Sequence, residues 1–280
     1  MSTLLISPEG MLGRAFVELL TARGEVFETA SYPSLDVTQP ATLRASIHGG
    51  IDRVINCAAF TDVDGAESRE AEALAVNGQG VMHLAQACAL VGATLIHFGT
   101  DYVFGGDATE PYPVDAAVAP RTAYGRTKAA GERALIESGV PHLYLRTSWL
   151  YAPWAKNFVR TMAALGHTKA ELKVVDDQRG RPTSAQGLAQ TTLELWEAGA
   201  RGFFHATDGG ECTWFEFAQA IISGTNGTAR VLPCTTAEFP RPAPRPAYSV
   251  LDLSGTEAAL GRSMMPWPSA LTHVLSHLRA

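Results

Sequence analysis

The sequence predicts an α/β fold: a doubly wound parallel sheet of the Rossmann type, with a smaller C-terminal α/β substrate-binding lobe. Three observations predict it. Short apolar runs alternate with helically spaced apolar residues through the first half, which implies parallel strands joined by right-handed crossovers. Those runs are apolar throughout, as strands buried on both faces are. The 280 residues, 46% of them hydrophobic, are enough for a full core. A dinucleotide-binding domain is expected over residues 1–150 and the lobe over 151–280, with chain exchange between the two.

Leu4–Ile6 reads as the first strand, and Leu12, Phe16, Leu19 and Leu20 follow at helical spacing. Val26–Phe27 reads as a second strand and Ala41–Ile47 as a weak helix. Val54–Cys57 is a strand, and Glu70–Val91 a helix with Leu74, Val81, Leu84 and Ala85 on one stripe. Thr94–Phe98, Tyr124–Glu137 and His142–Arg146 continue as strand, helix and strand. The second half is less regular: Ala185–Trp196 and Thr213–Ile222 read as helices and Phe203–His205 as a strand. Phe239–Pro246 carries Pro240, Pro242, Pro244 and Pro246 and is excluded from helix interior and central strand. It is either a plain surface loop or a stiff wall of a substrate cleft.

The first strand runs into Ser7-Pro8-Glu9-Gly10-Met11-Leu12-Gly13 and a helix. This is the place of a phosphate-binding loop. Gly10 lets backbone approach a pyrophosphate, Gly13 allows close helix–strand packing, and the helix N-terminus offers N–H groups to the anion. Ser7 stands where the first glycine of a G-x-x-G-x-x-G fingerprint belongs, and Glu9 adds a negative charge. An ordinary strand–turn–helix is the plain alternative.

The strongest chemical signal is Tyr124-Gly125-Arg126-Thr127-Lys128. Tyrosine and lysine four apart share one helix face. An ammonium beside a phenol favours phenolate, and so makes the tyrosine an acid usable near neutral pH. Such pairs also occur on plain surfaces, but here Gly99-Thr100-Asp101-Tyr102 ends one buried strand and Asn56-Cys57-Ala58-Ala59 another. The carboxyl edge of an open parallel sheet is where ligands bind. Thr100 is placed to hydrogen-bond a substrate carbonyl and align it with Tyr124.

Composition narrows the partners. A formal net charge of -6 gives no overall attraction to nucleic acid or anionic membrane. No apolar run approaches the roughly 20 residues of a membrane span, and Met1–Ile6 lacks the features of a secretory leader. A cytoplasmic protein is expected. Cys57, Cys88, Cys212 and Cys234 are scattered, read as reduced packing residues, and no metal site is expected.

The chain resembles the dTDP-4-dehydrorhamnose reductase family of the extended short-chain dehydrogenase/reductases. The resemblance is carried by Val54–Asp64, Ala75-Val76-Asn77, Thr100–Phe104, Tyr124–Lys128, Arg146–Tyr151, Asn157-Phe158-Val159 and Asp177–Thr183, and extends through Glu238-Phe239-Pro240 and Arg245-Pro246. It implies NADPH- or NADH-dependent reduction of the C4 keto group of a dTDP-linked 4-keto-6-deoxyhexose, with dTDP-4-dehydrorhamnose the first candidate. Thr100, Tyr124 and Lys128 match the catalytic triad. Ser7, Gly10, Met11, Leu12 and Gly13 match the phosphate loop, Asp36 and Val37 the adenine segment, and Ala58, Ala59 and Phe60 the stretch along the cofactor. Thr61, Asp62, Val63, Asp101, Tyr102 and Trp149 match the sugar pocket, Trp149 as a flat apolar wall or a packed core aromatic. Asn157 is expected near the nucleotide, and Arg179 and Arg181 are candidate phosphate ligands.

The same resemblance leaves room for a reductase of another keto-deoxysugar nucleotide, or for a non-catalytic regulatory subunit that binds the cofactor and modulates a partner enzyme. Ser7 leans towards the regulator, and the intact Thr100, Tyr124 and Lys128 towards an enzyme. A monomer or homodimer is expected. Some members dimerise through a metal held by glutamates, one of them early in the first helix. Arg14-Ala15-Phe16 stands there instead, which speaks against a metal-linked dimer. Thr29–Ser34 carries neither an acid for a ribose diol nor an arginine for a 2′-phosphate, and Glu28 is early for the role.

Overall fold

The structure is a computed structural model describing residues 2–278. Met1, Arg279 and Ala280 lie outside the described residues. The first half runs β1 (Thr3–Ile6), α1 (Met11–Ala22), β2 (Phe27–Ala30), α2 (Pro40–Ser46), β3 (Arg53–Asn56), α3 (Val63–Ala66), α4 (Glu70–Leu74), α5 (Gly80–Val91), β4 (Thr94–Thr100), α6 (Ala123–Ser138) and β5 (His142–Thr147). The second half runs β6 (Leu150–Tyr151), α7 (Phe158–Thr168), β7 (Glu171–Val175), β8 (Arg179–Gly180), β9 (Thr183–Ser184), α8 (Ala185–Glu197), β10 (Gly202–His205), β11 (Cys212–Thr213), α9 (Trp214–Gly224), β12 (Arg230–Cys234), α10 (Ser254–Leu260) and α11 (Trp267–Ser276).

Six strands form one parallel sheet in the order β10-β5-β4-β3-β1-β2. The strands β1, β3 and β4 are buried at every position, because helices cover both faces. One apolar layer, including Leu43, Val81, Leu84, Leu95 and Leu135, packs α2, α5 and α6 on one face. The other, including Phe16, Leu20, Leu143, Leu188 and Leu193, packs α1 and α8 on the opposite face. The order reverses between β1 and β3, so a crevice opens beyond their carboxyl ends.

The second strand lies further along than the sequence suggests. Val26 is 87% exposed, and β2 begins at Phe27. This is an edge strand with one partner, so its two outward residues carry no apolar signal. The expected Glu70–Val91 helix is continuous but contains a π turn over Ala75–Gln79. In the small lobe β7 pairs in parallel with β12, and a third apolar cluster joins Tyr151, Val159, Phe217, Ile221 and Leu271. Beyond residue 150 the chain returns to the main sheet: α8 packs on α1, β10 pairs with β5, and α10 packs on both α8 and β10. Cys88, Cys212 and Cys234 are buried and Cys57 half-buried, all as free thiols. No helix of the described residues is long and apolar enough to cross a membrane.

Candidate active site

A cavity of about 770 Å³ opens at the carboxyl edge of the sheet and extends to the small lobe. Ser7, Gly10, Met11, Leu12, Asp36, Val37, Ala58 and Ala59 line one stretch of it. Thr100, Asp101, Tyr102, Tyr124, Lys128 and Trp149 line the part below the small lobe, together with Thr61, Val63 and Asn157.

The phosphate loop has the shape the sequence requires, at a local cost. Ser7 has φ 59, the left-handed region that disfavours a side chain. Its N–H donates to the Ala30 carbonyl at 2.9 Å, and its own carbonyl receives Gly10 N–H at 3.3 Å. A Cβ on Gly13 would lie 1.9 Å from the Ser7 oxygen, so only glycine lets α1 seat against this loop. No side chain caps α1 and its first turn holds no acid, which leaves N–H groups directed to the groove. An uncapped helix start, seated against the loop where Gly13 admits no Cβ, fits a dinucleotide pyrophosphate. Glu28 is turned away to His48, 3.3 Å distant.

Thr100 ends β4, where its Oγ1 accepts Tyr102 N–H at 3.2 Å and donates to Asp101 Oδ1 at 3.0 Å. Tyr124 and Lys128 come from the start of α6, whose N-cap Thr122 accepts Gly125 N–H at 2.9 Å. Gly125 and Gly131 let α6 press on its neighbours. A Cβ on Gly125 would meet the Tyr102 carbonyl at 2.2 Å, and one on Gly131 the Asn77 carbonyl at 2.2 Å. The Tyr102 ring meets Tyr124 edge-on, with centroids 5.7 Å apart.

The expected direct depression of the Tyr124 pKa by Lys128 is not what the geometry gives. The Lys128 ammonium donates to the Phe98 carbonyl at 2.6 Å. Burial raises Tyr124 above the ordinary phenol range, Asp101 adds to the rise, and a hydrogen bond with Thr100 opposes it. The phenol therefore stays protonated at neutral pH. Burial lowers Lys128 to about 8, against a smaller upward pull from Glu132. Asp101 is 3% exposed and is pushed up to about 6 by burial, with the nearby Ser249 hydroxyl and the hydrogen bond from Thr100 opposing.

Four expected residues lie elsewhere. Phe60 packs with Tyr124, Ala66 and Ala73 below the cavity, and its backbone N–H and C=O are both held by the Asn77 side chain, at 2.9 and 3.0 Å. Asp62 is the N-cap of α3 and pairs with Arg69 at 2.8 Å, out of the groove. Arg179 faces Glu211 and Glu216 at 3.5 and 3.8 Å, which hold it away from the cavity. Arg181, also a phosphate candidate, is outside the lining too. Trp149 lines the cavity but is no free wall. Its ring stacks on Trp214 at 3.6 Å and 11°, and its edge lies against Gly180, where a Cβ would approach to 2.6 Å.

Several groove residues escape sequence reasoning. Trp214 and Phe217 reach it from α9 and Phe158 from α7. The signal available for Trp214 was the capping box of Thr213 and Glu216 that starts α9. Asn77 sits in the π turn and also donates to Thr127 Oγ1 at 3.2 Å, joining the cofactor stretch to α6. The proline segment is strapped down: Asp64 accepts from Arg245 at 2.9 Å and Arg241 at 2.7 Å, and from Ala243 N–H at 3.2 Å. Pro244 and Pro246 face Tyr102 across a side cavity of about 160 Å³.

Comparison with known proteins agrees with this geometry. The family model described as the RmlD substrate binding domain matches residues 1–280. A dTDP-4-dehydrorhamnose reductase of Streptomyces griseus is 43% identical over 96% of this chain and 91% of its own. A probable dTDP-4,6-dihydroxy-2-methyloxan-3-one 4-ketoreductase of Streptomyces antibioticus is 40% identical over 100% of this chain and 96% of its own. Among solved structures, a dTDP-4-dehydrorhamnose reductase of Clostridium acetobutylicum superposes with a TM-score of 0.96 at 37% identity, covering 100% of both chains. That of Bacillus anthracis, solved in complex with NADP, gives 0.93 at 34% identity over 98% of each. The whole length is matched in order, and the chain belongs to the RmlD substrate binding domain family.

Proposed function

We propose that this protein reduces the C4 keto group of a dTDP-linked 4-keto-6-deoxyhexose with NADPH or NADH, converting dTDP-4-dehydrorhamnose to dTDP-rhamnose. The observation that carries the reading is the meeting of Thr100, Tyr124 and Lys128 in one groove with an uncapped phosphate loop. When bound, the reduced nicotinamide supplies the hydride. Ser7, Gly10, Met11 and Leu12 hold the pyrophosphate, with Asp36, Val37, Ala58 and Ala59 along the rest of the dinucleotide. Thr100 orients the keto oxygen. Tyr124, kept neutral by burial, gives its proton to that oxygen as negative charge develops there. Lys128 keeps a positive charge at the base of the groove up to about pH 8, where it would hold the nicotinamide ribose and favour the negative charge that develops on the keto oxygen. Thr61, Val63, Asp101, Tyr102, Trp149 and Asn157 surround the sugar nucleotide.

Purified protein given dTDP-4-dehydrorhamnose is expected to oxidise NADPH or NADH, followed by loss of nicotinamide absorbance. Tyr124→Phe is expected to lose at least about a hundredfold in kcat, the scale of a general acid. Wild-type turnover by that variant refutes the assignment. The 4-ketoreductase relative of Streptomyces antibioticus favours a second reading, in which another keto-deoxysugar nucleotide is preferred. A panel of such substrates, ranked by kcat/KM, separates the two. A regulatory subunit without activity would bind the dinucleotide and turn over none of them.

A further inference from the structure

We propose that Asp101 is a positioning residue whose protonation decides whether Thr100 can donate a hydrogen bond to the substrate carbonyl. The inference rests on the reading above, in which Thr100 orients that carbonyl.

It follows from counting protons. A threonine hydroxyl has one proton to give and two lone pairs to accept with. Thr100 Oγ1 accepts from Tyr102 N–H at 3.2 Å, and its distance to Asp101 Oδ1 is 3.0 Å. An ionised Asp101 is acceptor only, so it captures the single Thr100 proton and leaves none for a ligand. A protonated Asp101 donates to Thr100 instead, taking the second lone pair in place of the Tyr124 phenol and turning the hydroxyl proton towards Tyr124 and the groove. Both residues line that groove.

The surroundings favour the protonated form. Asp101 is 3% exposed, and its Oδ2 has no partner among the described residues. The Ser249 hydroxyl beside it is equally buried. The titratable groups facing it are Tyr102 on its own turn and Tyr124 on α6, both kept neutral by burial. The Arg245–Asp64 pair from the proline segment and α3 acts on Tyr102. Burial raises the carboxyl to about 6, so the switch lies just below neutrality. The sign is fixed: Thr100 is a free donor below that pH and is sequestered above it.

The test is the pH profile of kcat/KM for keto-sugar reduction by the full chain with saturating dinucleotide, in wild type, D101N and T100V. The wild type is expected to lose about tenfold per pH unit above about 6, the slope of a one-proton ionisation. This limb is separate from the one near 8 set by Lys128. An asparagine amide donates to Thr100 at every pH, so D101N should lose the limb near 6 while its low-pH plateau falls by less than about tenfold. Asp101→Ser, which also has no titrating group, is likewise expected to lose the limb near 6 should D101N not fold. In ligand-free protein, the infrared band of a neutral carboxylic acid removed by either variant should titrate at the pH of the wild-type limb. An unchanged limb in D101N or Asp101→Ser, or a carboxyl already ionised at pH 5, overturns the inference. T100V as active as wild type would instead overturn the reading beneath it. An inactive T100V with the limb intact in D101N removes the Asp101 switch alone.

Discussion

Lys128 Nζ lies 2.6 Å from the Phe98 carbonyl oxygen, two residues before the end of the strand whose last residue is Thr100. The ammonium is thus held by backbone in the sheet while it lines the groove. Burial lowers its pKa to about 8. A charged group with a depressed pKa opposes folding below that value, and the opposition fades as pH rises from about 8 to the unfolded value. A shift of this size corresponds to about 3 kcal/mol, and losing the bond to Phe98 takes back about 1 kcal/mol. Lys128→Met is therefore expected to raise the melting temperature at pH 7 by about 5 °C while activity collapses. Scanning calorimetry beside a turnover assay checks both signs.

The phosphate loop predicts opposite outcomes at two positions. Ser7 at φ 59 pays about 1 kcal/mol for its side chain, so Ser7→Gly should match or slightly exceed the wild type in thermal stability and bind dinucleotide at least as tightly. Gly13→Ala places a methyl 1.9 Å from the Ser7 oxygen and should cost about 3 kcal/mol and most of the dinucleotide affinity. Thermal unfolding with and without NADPH reads both.

Under the proposed reading Trp214 contacts the nucleotide sugar and not the cofactor. Its ring stacks on Trp149 at 3.6 Å, and Phe158 lies 4.5 Å from it. Removing such a stack costs about 1 kcal/mol beyond lost area. Trp214→Ala should raise KM for the sugar nucleotide about tenfold and leave the dissociation constant for NADPH within about twofold. A parallel change in both constants would place the ring in the cofactor site.

The paired charges under the sheet edge are structural. Arg146 meets Glu132 through two bonds of 2.9 Å, with both side chains buried. Glu132→Gln leaves a buried guanidinium without its counter-charge and should cost about 3–5 kcal/mol. The chemical denaturation midpoint would drop, and in the remaining folded enzyme the limb near 8 would move to lower pH, since Glu132 no longer holds Lys128 up.

The main sheet was legible because its strands are buried on both faces and its helices carry one apolar stripe. The edge strand β2 misled because only its inner residues are apolar. In the small lobe β6, β8, β9 and β11 are two residues each, too short for any periodicity to register. The proposed catalytic residues were readable because Tyr124 and Lys128 share a helix turn and Thr100 ends a strand, so local spacing brings them to one edge. Trp214 was not, because it reaches the site from a helix distant in sequence. Arg179 misled for a related reason: charge and motif name a phosphate ligand, whereas Glu211 and Glu216, over thirty positions away, decide where it points.

The weaving of the chain between lobes has a mechanical outcome. Leaving the main sheet after β5, it comes back for α8 and β10, departs for α9 and comes back again for α10. Two bodies on one tether can swing apart, whereas bodies laced by several strands of the same polymer resist any gape that would shear all the lacings together. Substrate entry must then proceed by local shifts at the rim, and heating should melt both halves in a single calorimetric peak.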